Sequence, residues 1–94
     1  MSQLQLVSLG RNVGQRFAGQ PLSEAAVRLA LGRAYLGVGE YRQALEQYDL
    51  AQARGTGAGP AGEALALSAR EDAIIALSYL DDWAGVRERA TLLA

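Results

Sequence analysis

The chain has 94 residues, the length of one domain with a single core, and it contains neither Cys nor His. Disulfides, thiolate chemistry, imidazole bases and nearly all zinc or haem ligation are therefore excluded, and we predict no metal site and no cofactor. All nine cationic side chains are Arg, against ten acidic ones, which gives a formal charge of −1, so we expect no nucleic acid partner.

The start of the chain lacks the signals that direct a protein to or across a membrane. No basic segment is followed by an apolar run, which a secretion signal needs. No apolar stretch approaches the roughly 18 residues of a membrane span. These features predict a cytoplasmic protein without a membrane partner.

Breaker residues divide the chain into five segments. They lie at 19–21, 37–39, 55–62 and, more weakly, 81–82. The longer segments carry apolar residues at helical spacing, and none alternates convincingly with period two. In chain order these residues are Leu6, Leu9, Val13, Phe17; Val27, Leu31, Tyr35; Tyr41, Ala44, Leu45, Tyr48; Leu67, Ile74, Leu77, Leu80; and Trp83, Val86, Ala90, Leu93. We therefore predict an all-α fold of about five antiparallel helices joined by short turns.

Residues 1–94 are predicted to form one domain with four parts. Residues 1–19 are one helix, 23–54 a helical hairpin, 55–62 a Gly-rich loop or hinge, and 63–94 a second hairpin. An alternative for 55–62 is that a helix beginning near Glu63 is lengthened by about two turns. Ser23 is the expected N-cap of the second helix, and Asp81 or Asp82 that of the last.

Residues 25–58 carry small and aromatic residues in a recurring order. The pattern consists of Leu31, Gly32 and Tyr35 in a first helix, Gly39 and Tyr41 at a turn, and Ala44, Tyr48 and Ala51 in a second helix. This stretch closely resembles one tetratricopeptide repeat, which implies a stack of helical hairpins. Two residues depart from the family pattern: Arg28 stands where the family favours Trp or Leu, and Thr56 where it favours Pro.

Residue size gives a physical reason for this pattern. We expect small residues where two antiparallel helices cross, and large ones beside them. The small residues are Gly32, Ala44 and Ala51, and the large ones are Tyr35, Tyr41 and Tyr48. Gly39 is expected to end the first helix with a positive φ. The tyrosines and Trp83 could also form an aromatic ligand cage, but their helix-crossing spacing favours a core.

The flanking segments resemble less complete repeats. Residues 67–94 resemble a degenerate second repeat, with Ile74 in the small-residue position, Leu77 in that of the first tyrosine and Trp83 as the turn aromatic. Residues 1–19 resemble the second helix of a repeat that lacks its first. About two and a half repeats result, fewer than the three or so that make such an array self-sufficient. We therefore expect exposed apolar ends.

The resemblance also implies a groove lined by residues of the first helix of each repeat. These are Ala26, Leu29, Arg33, Leu36, Glu71 and Tyr79. The alternative is that the N-terminal helix covers these residues or that they are simply solvated. The Lys and Asn residues with which related repeats clamp the carboxylate tails of chaperones are absent from these positions.

The sequence thus predicts a protein-binding adaptor, not an enzyme, whose partner is a peptide or helix of another protein. The alternative is a self-association module, in which 1–19 or 82–94 packs on a second copy to form a homo-oligomer, or a fragment of a longer repeat protein. An enzyme would need converging acidic residues. Glu71-Asp72 has no second carboxylate pair facing it at helical spacing, and Asp81-Asp82 is read as a cap.

Overall fold

A computed structural model describes residues 3–80 and 87–91, with side chains from Asn12 onward in these ranges and at Gln5 and Ser8. Four long helices are present there: α1 (Gln3–Arg16), α2 (Pro21–Gly37), α3 (Tyr41–Gly55) and α4 (Gly59–Tyr79). Residues 87–91 are also helical, and the described residues include no strand. The all-α prediction is confirmed. The predictions for Asp81, Asp82, Trp83, Val86 and Leu93, and for the side chains of Leu6 and Leu9, lie outside the described residues.

The turn between α1 and α2 contains Gly19, with φ of 76°. Helix α2 begins at Pro21, whose fixed φ and missing N–H suit the first position of a helix. Ser23, predicted as the N-cap, lies inside the first turn, so that prediction is wrong. With Gln20 as the observed N-cap, the helix starts three residues earlier than the serine suggested.

Helix α2 ends at Gly37, two residues before the glycine that the sequence pointed to. Gly39 has φ of 81°, which a residue with a side chain rarely adopts. The N–H of Glu40 donates to the carbonyl of Tyr35 at 3.0 Å, and the N–H of Gly39 donates to that of Leu36 at 3.1 Å. These two bonds form a Schellman motif, which satisfies carbonyls at the end of α2 and turns the chain into α3.

The stretch 55–62, predicted as a loop, is helical except at residues 56–58. The reason is a close crossing of α3 and α4, since a Cβ on Gly55 would lie 2.5 Å from the carbonyl oxygen of Gly62. Glu63 accepts a hydrogen bond from the N–H of Gly57 at 2.7 Å and so holds the turn. The alternative of a lengthened fourth helix is closer to the observed α4, which has 21 residues.

The helices pack around α2 and α3. Helix α2 contacts α1, α3 and α4, and α3 also packs on α4. The buried residues of the core are two leucines, two tyrosines and five alanines, namely Leu29, Leu31, Tyr35, Ala44, Tyr48, Ala51, Ala69, Ala73 and Ala76. The three alanines of α4 in this group allow its backbone to approach α3 closely. That the helices pair as tetratricopeptide hairpins stays a prediction.

A close contact between α2 and α3 joins Gly32 to Tyr48. A Cβ on Gly32 would lie 2.5 Å from Cε1 of Tyr48, so the ring occupies the space that a larger residue would need. We call this contact the glycine crossing. Tyr48 is fully buried beside it. A small residue therefore faces a large one here, as the sequence pattern predicted.

Candidate functional site

Helices α2 and α4 meet along an exposed surface that an ion pair marks. The Nε of Arg33 donates to Oδ2 of Asp72 at 2.7 Å, across 39 residues of sequence. The face of α2 that carries Arg33 therefore adjoins the face of α4 that carries Asp72. Because the Arg33 side chain is more than half exposed, the pair contributes little to stability. It does neutralise Arg33 for any approaching partner.

One exposed row of α4 is largely apolar. Leu67, Glu71, Ile75 and Tyr79 follow each other at intervals of four, which places them on one ridge of the helix. The exposed fractions are 48% for Leu67, 46% for Ile75 and 59% for Tyr79. Within the described part of the chain, Glu71 has no ion-pair partner. We call this row the α4 stripe.

Tyr79 is held in place by a second tyrosine. Its ring stacks on that of Tyr41, with centroids 4.6 Å apart and an angle of 10° between the planes. Tyr41 was predicted to fill volume at the turn between α2 and α3, and the structure places it half-buried under Tyr79. The stack orients the exposed ring and connects the start of α3 to the end of α4.

Four of the six residues predicted to line a groove are exposed. Ala26, Arg33, Glu71 and Tyr79 are exposed, as a binding surface requires. Leu29 is 5% exposed and belongs to the core, so its assignment to the groove is wrong. It lies within one turn of two other buried residues, Ala25 and Gly32, and therefore faces inward. Leu36 is half-buried against the same core.

The residues predicted as repeat core lie where the helices pack. Leu31, Tyr35, Ala44, Tyr48 and Ala51 are buried, as is Gly32, and Gly39 ends α2. Tyr41 is only half-buried and stacks on Tyr79, and Trp83 lies outside the described residues. The tyrosines therefore line packed helices and leave no cage among the described residues.

Burial changes the acidity of two tyrosine hydroxyls, those of Tyr48 and Tyr35. The hydroxyl of Tyr48 is buried and makes no hydrogen bond within the described part of the chain. Burial, reinforced by the Asp72 carboxylate and opposed by Arg33, raises the pKa of Tyr48 to about 12. Burial also raises the pKa of Tyr35, with contributions from Glu46 and Glu40. Both hydroxyls therefore stay neutral well above physiological pH.

Sequence reasoning missed a set of buried polar side chains. Nε of Arg28 and Nε of Arg54 each donate to Oε2 of Glu24 at 3.3 Å, and Nη1 of Arg28 donates to Oε1 of Gln47 at 3.0 Å. Glu24, Arg28 and Gln47 are buried, and Arg54 is exposed. We call these four residues the charge cluster. The available signals were the spacing of Glu24 and Arg28 by four and the charge at a position where the resembled family has a large apolar residue.

A second ion pair attaches the helical segment 87–91 to α3. Nη1 and Nη2 of Arg89 donate to the two carboxylate oxygens of Asp49 at 2.7 and 3.2 Å. The bridge found here is internal, and Arg87 and Glu88 remain exposed.

The described residues include neither a candidate metal site nor a candidate membrane-spanning helix. Residues 3–80 and 87–91 contain no group of three or more His, Cys, Asp or Glu that could hold a metal ion. In the same ranges, no helix combines the length and apolar character that crossing a membrane requires.

No protein-family model matches the chain, and no curated protein or solved structure matches it significantly. The resemblance to tetratricopeptide repeats therefore stays a prediction from the residues.

Proposed function

We propose that the chain is a protein-binding module and that the α4 stripe, with the adjoining face of α2, is its binding surface. The observation that carries this proposal is the stripe itself: three large apolar side chains on one ridge, each about half exposed. Single exposed apolar residues are common on protein surfaces, but aligned ones favour an interaction site.

Charge complementarity narrows the class of partner that this surface can bind. Glu71 stands between Leu67 and Ile75 without an ion-pair partner in the described residues. Arg33 on the adjoining face of α2 is already paired with Asp72. The α4 stripe is therefore apolar with one negative charge, that of Glu71, between Leu67 and Ile75. It suits an amphipathic helix or short peptide that presents apolar side chains and one basic residue.

A ridge of residues spaced by four is also the surface along which helices pack on one another. Tyr79 is already oriented by its stack on Tyr41, so that binding a partner would cost little side-chain entropy at this position. Both features favour a helical partner segment over an extended one.

The test is selection of binding peptides from a displayed random library, with the chain as bait. We expect selected peptides to carry apolar residues at helical spacing and one Lys or Arg. Glu71→Arg should shift the selection toward acidic peptides, whereas Gln43→Asp, an exposed position on α3, should leave it unchanged. Peptides that bind wild type and Glu71→Arg equally would contradict the proposal.

The alternative function, self-association, has a separate readout. Light scattering over a concentration series is expected to give the monomer mass throughout. A dimer that Ile75→Asp dissociates would mean that the α4 stripe binds a second copy of the chain.

A further inference from the structure

A cavity lies where the end of α1, the following turn, the start of α2 and the end of α3 meet. Its volume is about 380 Å³, within the range of small-molecule sites. Phe17 and Pro21 give it apolar walls, and Glu24 and Arg54 give it a polar side. No residue of α4 lines it, so it is separate from the α4 stripe.

The charge cluster places two guanidinium groups around the one carboxylate that lines this cavity. One carboxylate, that of Glu24, accepts hydrogen bonds from two guanidinium groups, those of Arg28 and Arg54, both at 3.3 Å. These three groups together carry a net charge of +1. Glu24 and Arg28 are buried, so solvent screens their charges poorly. Electrostatics therefore favour an anion over a cation in the cavity.

Arg54 is the group through which an anion can be bound. Its side chain is 52% exposed, whereas that of Glu24 is 6% exposed. Within the described part of the chain, Arg54 donates only through Nε, and that bond fixes the plane of the guanidinium. The two terminal nitrogens remain as donors. A planar fork of this kind fits a carboxylate through two parallel hydrogen bonds.

The walls of the cavity define the rest of the ligand. Phe17 is half-buried, and Pro21 is rigid, so they offer a preformed apolar surface beside Arg54. Gly14 leaves room at the wall formed by α1, and a Cβ there would lie 3.4 Å from Nη2 of Arg28. A ligand with an acidic end and a short apolar body matches both parts of the cavity.

We propose that this cavity binds a carboxylate that carries a short apolar group. The carboxylate contacts the terminal nitrogens of Arg54, and the apolar group packs on Phe17 and Pro21. Two sources share this chemistry: a free organic acid, and the carboxyl terminus of a peptide whose last side chain is apolar.

The experiment is an NMR titration of the ¹⁵N-labelled chain with hexanoate. We expect saturable shifts confined to amides near the cavity, including those of Gly14 and Gly19. Arg54→Gln should weaken binding by about tenfold or more, because it removes the charged fork. Arg42→Gln, an exposed arginine of α3 that does not line the cavity, should bind as wild type does. Hexylammonium should cause no shift.

A second variant is the control for a change in fold. Phe17→Ala keeps the charges, and it should weaken hexanoate more than acetate because only hexanoate has an apolar body to lose. Spectra of both variants should overlay that of the wild type away from the cavity. If Arg54→Gln changes the spectrum throughout, the comparison of hexanoate with acetate on Phe17→Ala decides the proposal.

N-acetyl-Ala-Leu and its C-terminal amide distinguish the two sources. Tighter binding of the peptide acid than of hexanoate assigns the cavity to a peptide terminus, and the reverse assigns it to a free acid. The proposal is overturned if no carboxylate gives saturable shifts, if the peptide amide or hexylammonium binds as well as the acids, or if Arg54→Gln folds and binds unchanged. These results leave the proposal for the α4 stripe untouched.

Discussion

Helix α2 packs on its neighbours through two regions of opposite chemistry. At the glycine crossing, Gly32 accepts the ring of Tyr48, and the contact is made by shape alone. Four to eight residues earlier along α2, the charge cluster joins Glu24 and Arg28 to α3 through Gln47 and Arg54. The comparison teaches that one helix–helix interface can combine a close-packed part and a buried polar part, which should respond differently to mutation.

The largest expected effect on stability comes from removing the Tyr48 ring at the glycine crossing. Tyr48→Ala should lower the free energy of unfolding by about 3–5 kcal/mol, because it leaves a cavity at a fully buried site. Tyr48→Phe keeps the volume and removes a buried hydroxyl that makes no hydrogen bond, so it should match or exceed wild type by about 1 kcal/mol. Urea denaturation followed by circular dichroism measures both. A loss in Tyr48→Phe as large as that in Tyr48→Ala would contradict the shape-based account.

The next effect should come from the charge cluster. Glu24→Ala removes the carboxylate to which two arginines donate, and we expect a loss of about 3 kcal/mol. Glu46→Ala, an exposed control on α3, should stay within about 0.5 kcal/mol of wild type. The combined change Glu24→Leu and Arg28→Met should recover most of the loss, because it replaces a buried ion pair by apolar side chains. A double variant as unstable as Glu24→Ala would show that charge is required here for stability.

A smaller loss is expected from filling the crossing. Gly32→Ala places a Cβ against the Tyr48 ring and should cost about 1–3 kcal/mol through overpacking. Gly37→Ala, at the end of the same helix, has nothing within 4 Å of its new Cβ and should be neutral or slightly stabilising. Thermal unfolding of the pair is the measurement. Equal melting temperatures would mean that α2 and α3 do not approach as closely as described.

Alkaline pH should have the smallest effect at the crossing. The pKa of Tyr48 is about 12 in the folded chain, against 10.0 for an ordinary tyrosine, so the unfolded chain loses this proton first. The free energy of unfolding that this pKa difference contributes is complete below pH 10 and is lost between about pH 10 and 12. The loss is about 1 kcal/mol near pH 11. Tyr48→Phe should remove this part of the pH dependence. A variant whose stability falls as steeply as that of the wild type would contradict the assignment to Tyr48.

The two regions also show what the sequence could predict. Helix spacing, small residues and tyrosines identified the all-α fold and the set of small and large residues to which Gly32 and Tyr48 belong, because residue size and periodicity are properties of the sequence itself. That Gly32 contacts Tyr48 in particular came from the structure. The start of α2 and the helical part of 55–62 were mispredicted. In the second case, glycine was taken as a sign of flexibility, whereas Gly55 and Gly62 permit a close helix crossing.

The link between Glu24 and Arg54 could not be predicted, because the two residues are 30 apart in the sequence and charged residues usually lie on the surface. Only the packing of α2 on α3 brings them together. The candidate surface was predicted in part: Arg33, Glu71 and Tyr79 are exposed, while Leu29 is not. Leu67 and Ile75 were not assigned to it, since periodicity marks an apolar position without saying which face a neighbour covers.

The central claim is that the α4 stripe binds a partner and that its residue Ile75 contributes little to the stability of the fold. The most direct measurement compares Ile75→Asp on α4 with Leu77→Ala, a buried position on the same helix, for melting temperature and for affinity to a selected peptide. We predict that Ile75→Asp melts within about 2 °C of wild type and loses peptide binding, whereas Leu77→Ala melts at least about 10 °C lower. A melting temperature for Ile75→Asp as low as that of Leu77→Ala, or unchanged peptide affinity, would contradict the claim.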